Sequence, residues 1–69
     1  MTTNSRIIDL ARAQVRIAEA LADKSEHLQA CMAYRIAAGL YSQVAWSATV
    51  KVVEACAYAE EVLAERAGK

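Results

Sequence analysis

The side chains best equipped for nucleophilic, acid–base or metal chemistry are Cys31, Cys56 and the single histidine, His27. His27 and Cys31 are four residues apart, the separation at which two side chains meet on one helix face, so the imidazole could take the proton of the thiol. A thiolate made that way still needs donors for a developing oxyanion and a pocket for a substrate, and the flanking residues offer neither. For zinc, Cys31 and Cys56 form no C-x-x-C pair and no second histidine stands at ligand spacing. The cysteines therefore read as reduced core thiols of a cytosolic protein, and the chain as a non-enzyme that needs no cofactor or metal.

The elements that would carry these residues are helical. Sixteen of the 69 residues are Ala, none is Pro or Phe, and Gly39 and Gly68 are the two glycines; such a composition favours helix throughout. A single domain of this size buries only about 60% of its unfolded surface, so self-association is expected. At a helical step, Ile7, Leu10, Ile17, Leu21, Leu28 and Met32 fall on one stripe flanked by Ala11, Ala18 and Ala22. Asp9, Arg12, Arg16, Glu19, Asp23 and His27 fall on the opposite face.

Gly39-Leu40-Tyr41-Ser42 carries turn chemistry: a glycine for a left-handed helix end, a serine to cap the next helix, and Tyr41 and Trp46 at the spacing of a hydrophobic staple. The expected fold is thus all-α, a single domain over 1–69. Helix one would run over about 4–38, the turn over 39–42 and helix two over about 43–67. The polar run Asp23-Lys24-Ser25-Glu26-His27, with a D-x-x-E capping-box spacing, supports an alternative three-helix arrangement split at both places.

On helix two, Gln43, Ser47, Lys51, Glu54, Tyr58, Glu61 and Glu65 form one narrow polar line. The remainder makes two apolar arcs, Val44, Ala48, Val52, Ala55, Ala59 and Val62 on one side, and Trp46, Val50, Val53, Ala57 and Ala64 on the other. One partner helix cannot cover both arcs. The expectation that follows is a homodimer, two hairpins closing into a four-helix bundle.

Charge narrows the partner. Eight Lys+Arg balance eight Asp+Glu, and Asp9, Glu19, Asp23 and Glu26 are interleaved among Arg6, Arg12, Arg16 and Lys24, which disfavours phosphate contacts and nucleic acid. No apolar run has the ~20 residues of a membrane span, and charges interrupt any signal-peptide core, so the location expected is the cytoplasm and no membrane is involved. A surface of mixed sign suits a protein partner. The candidate partner-binding residues are Arg12, Arg16, Glu19, Asp23 and His27 on the outer face of helix one, with Tyr34 and Tyr41 as aromatic anchors. The alternative is a ROP-like helical dimer that binds RNA or another nucleic acid.

The stretch ARAQVRIAEALADKSEH followed by AAGLYSQVAW resembles the small phage-encoded quorum-sensing anti-activators, dimeric helical inhibitors of host regulatory proteins. The likeness spans most of the chain and lies in size, composition and general pattern. It implies binding to a LuxR-type transcription activator, with its DNA binding blocked, and to a type IV pilus assembly ATPase as a second target.

Overall fold

A computed structural model describes residues 3–68. The chain forms three helices, α1 (Thr3–Asp23), α2 (His27–Gln43) and α3 (Ser47–Ala67), with no strand among the described residues. The all-α expectation holds, whereas the unbroken helix over 4–38 and the turn over 39–42 do not. The breaks fall at 24–26 and 44–46, so of the two arrangements weighed above the three-helix one is observed, with its second break later than expected.

Both breaks are made the same way. At the first, the Ser25 N–H donates to the Ala22 carbonyl (2.9 Å) and the Glu26 N–H to the Leu21 carbonyl (2.9 Å). At the second, the Ala45 N–H donates to the Ser42 carbonyl (3.1 Å) and the Trp46 N–H to the Tyr41 carbonyl (3.2 Å). This paired pattern is a Schellman closure, which needs one residue in the left-handed region. Ser25 (φ 64°) and Ala45 (φ 59°) occupy it. Each next helix starts at once, because the Glu26 and Trp46 carbonyls accept from the Ala30 (3.0 Å) and Val50 (2.9 Å) N–H groups.

The residues expected to cap and turn have other duties. Gly39 lies inside α2, and Ser42 belongs to its last turn. Asp23 ends α1, and neither Glu26 nor Trp46, the residues before α2 and α3, makes a side-chain cap bond.

The helices run up, down and up in a slab of 45 × 19 × 11 Å. α2 is the middle element: α1 and α3 each pack along it and scarcely meet each other. Alanine governs the packing. The buried residues are Ala11, Ala18, Ala30, Ala33, Ala37, Ala38 and Ala57, with Cys31, Tyr34, Tyr41 and Val53. Small side chains let helix axes approach closely, but each removes little apolar area from water. No Leu, Ile or Met among the described residues is buried. The apolar stripe of α1 therefore lies at the edge of the contact with α2, which the alanines beside it make. On α3 the arc with Val53 and Ala57 faces α2, and Ala48, Val52, Ala55 and Ala59 of the other arc stay exposed.

Candidate partner-binding surface

α1 holds Arg12, Arg16, Glu19 and Asp23 exposed on one side of a helix of 21 residues, roughly 32 Å of rigid rod. The line Ala11–Ala18 is pressed against α2, and with a helical step this turns Arg12, Arg16 and Asp23 outward and leaves Glu19 on the flank of the contact. Neither ion pair formed among the described residues, His27–Glu60 or Arg35–Glu61, uses any of the four.

His27 is placed otherwise than expected. It stands in the first turn of α2, half-buried, with its Nδ1 2.8 Å from Glu60 Oε1 on α3. That bond ties the start of α2 to the far half of α3, across 33 positions of chain. It also commits the ring nitrogen that faces α3 to a carboxylate rather than to the thiol of Cys31, which is itself buried. When the imidazole is protonated the bond is charge-assisted and correspondingly stronger.

Tyr34 and Tyr41 are corrected from exposed anchors to buried residues, at 9% and 6% exposure. The reason is topological. A side chain that points outward on a two-helix hairpin points inward once the chain folds at 24–26 and α2 becomes the middle of three. Burial raises the Tyr34 phenol above its usual pKa, and the negative charges of Cys56, when ionised, Glu19, Glu60 and Asp23 push it the same way. Tyr41 stacks on Trp46 at a ring separation of 5.7 Å.

Two features were missed in the sequence. One is the exposed Arg35–Glu61 pair (3.0 Å) between α2 and α3, worth no more than about 1 kcal/mol at such exposure. The other is the His27–Glu60 bond, whose partners carry no local spacing signal because tertiary packing alone brings them together.

Beside the Arg35–Glu61 pair, Arg35, Gly39, Ser42, Glu54 and Tyr58 line an open groove of about 490 Å³ between α2 and α3. No cluster of three or more His, Cys, Asp or Glu side chains able to hold a metal ion occurs among the described residues. No helix there is long and apolar enough to cross a membrane. No protein-family model matches the chain, and comparison with curated proteins and with solved structures gives no match either.

Proposed function

We propose that this chain is a stoichiometric binding protein of the cytoplasm, a homodimer of three-helix units that grips another protein with the charged face of α1 and covers a surface the target needs. The supporting observation is the exposed row Arg12, Arg16, Glu19 and Asp23 on a rigid helix, none of the four belonging to either ion pair formed among the described residues. Preformed side chains on a helix lose little conformational freedom on binding, which favours a small protein acting by occlusion. Charges of both signs set the orientation of such a contact more than its raw affinity.

Following the resemblance described above, the target is a LuxR-type transcription activator, held so that it releases DNA, with a type IV pilus assembly ATPase as the second candidate. The test is to titrate the protein against a LuxR-type activator bound to its DNA site. Release of DNA at about one dimer per activator binding unit supports the reading. No release, with no complex by light scattering, overturns the choice of target. Binding to RNA that weakens steeply with salt would replace the protein-binding reading with the nucleic-acid one.

A further inference from the structure

On α1, Leu10 and Ile17 are seven residues apart and lie on the flank of the Ala11–Ala18 line opposite to Glu19. With Ala11 and Ala18 against an antiparallel α2 whose Tyr34 and Tyr41 face inward, the helical step puts Glu19 on the tyrosine side of the slab, in line with its charge acting on the Tyr34 phenol, and puts Leu10 and Ile17 on the other side. On α2, Leu28, Met32 and Ile36 follow one another at four-residue steps, opposite Tyr34 and Tyr41, and are 63%, 58% and 53% exposed. The two rows therefore share one broad face of the slab. Between them the polar members are Gln14, Gln29 and Gln43, all uncharged.

We infer that this α1–α2 face is the seam of the homodimer, with a second copy of the chain as its occupant. This rests on the dimeric reading above and names the surface it leaves open. Three observations select a second copy. First, the chain exposes 4787 Å², whereas a compact monomer of its mass, 7.5 kDa, is expected to expose about 4,250 Å². The excess is that of a unit still lacking a neighbour.

Second, the five large side chains of the face, each about half exposed, offer roughly 500 Å² per copy, or roughly 1,000 Å² for a pair, the threshold of a specific interface. The exposed arc of α3 carries two large apolar side chains, Val52 and Leu63, among Ala48, Ala55 and Ala59, against five on the α1–α2 face. Third, the core is mostly alanine, so the large apolar side chains must find cover whenever the protein is folded. Only another copy is always at hand. The middle of the face, where Gln14 and Gln29 are the polar members, meets its own two-fold image without like-charge conflict, while exposed Lys24, seven residues after Ile17, and Arg35, seven after Leu28, stand at its rim. In this seam the stripes cross near Met32, and the charged row of α1 remains free.

Sedimentation equilibrium of the full chain tests the seam without any target protein. The parent should sediment at twice its chain mass at micromolar concentration. Met32→Arg should raise the dimer dissociation constant about 100-fold or more, because it places an unpaired charge in the seam. Val52→Arg, on the exposed arc of α3, should stay within about threefold of the parent.

Should Met32→Arg unfold, a second arm reads the same contact: Met32→Cys should be joined chain to chain by a short bismaleimide well above the parent background from Cys31 and Cys56, and Tyr58→Cys should not. A folded parent monomer at about 100 μM would overturn both the seam and the dimeric reading. A parent dimer that Val52→Arg dissociates and Met32→Arg leaves intact, or that cross-links through position 58 and not 32, would overturn the seam alone.

Discussion

The indole of Trp46 lies over the phenol ring of Tyr41 with centroids 5.7 Å apart and planes inclined by 13°. The same two residues share the longer backbone bond of the second turn, Trp46 N–H to Tyr41 carbonyl at 3.2 Å. A Schellman closure commonly carries an apolar contact between these two positions, and here it is an aromatic stack. Trp46→Ala should lower stability by about 2 kcal/mol, read from the urea midpoint by circular dichroism. An unchanged midpoint would show that the backbone bonds alone hold the turn.

Ser25 and Ala45 hold left-handed backbone without being glycine, at a cost of roughly 1 kcal/mol each. Ser25→Gly and Ala45→Gly should each stabilise the protein by about 0.5–1 kcal/mol, after allowance for the greater freedom of glycine in the unfolded chain. Ala45→Val should destabilise it by more than that. The three urea midpoints decide the matter together, and a loss of stability in both glycine variants would contradict the turn geometry.

Gly39 sits in the interior of α2, and a Cβ built there meets nothing within 4 Å. Gly39→Ala should therefore stabilise the helix by up to about 1 kcal/mol. A destabilised variant in thermal melts would place a neighbour over that site that the single chain does not contain.

The raised pKa of Tyr34 has a signed consequence. Because the folded protein holds the phenolic proton more tightly than the unfolded chain, stability is full below the ordinary tyrosine range and falls as pH rises through it. Tyr34→Phe should flatten the loss of urea-midpoint stability between about pH 9 and 11, a range set by the ordinary tyrosine pKa near 10. Identical pH profiles for parent and variant would remove the burial argument.

Arg16 and Tyr34, both expected to act as partner anchors, should now separate. Arg16→Ala should leave stability within about 0.5 kcal/mol and weaken target binding by up to about thirtyfold if it is an anchor. Tyr34→Ala should cost about 3 kcal/mol of fold stability. Calorimetric titration of Arg16→Ala, beside a melt of each variant, checks the pair. Parental affinity in Arg16→Ala, Arg12→Ala and Glu19→Ala alike would move the binding face off α1.

The helical state of the chain was legible from its alanine content and lack of proline, and so was the amphipathic run that became α1. The polar run at 23–27 pointed to the first break. The second break was misplaced because glycine marked the wrong position: the left-handed site went to Ala45, while Gly39 was absorbed into a helix that its neighbours stabilise. The stripe Ile7, Leu10, Ile17 and Leu21 marks the apolar face of α1, and hydrophobic size usually decides which of its members are buried. Here helix approach decided it, and Ala11, Ala18, Ala30, Ala33 and Ala37 took the inside. At the candidate site, charges on the surface of α1 followed from periodicity alone. The burial of Tyr34 and the His27–Glu60 bond depend on which helix lies between the other two, and that is written in no local pattern.

Because α1 and α3 are joined almost solely through α2, the slab has no element that closes it end to end. Every tertiary contact of weight lies between consecutive helices linked by three-residue turns, an arrangement of low contact order that favours fast folding. Either outer helix can then open while the other pair stays formed, so native-state hydrogen exchange should find the slowest amides in α2 and two separate, lower-energy openings for α1 and α3. A change imposed by a partner on α1 reaches α3 chiefly through α2.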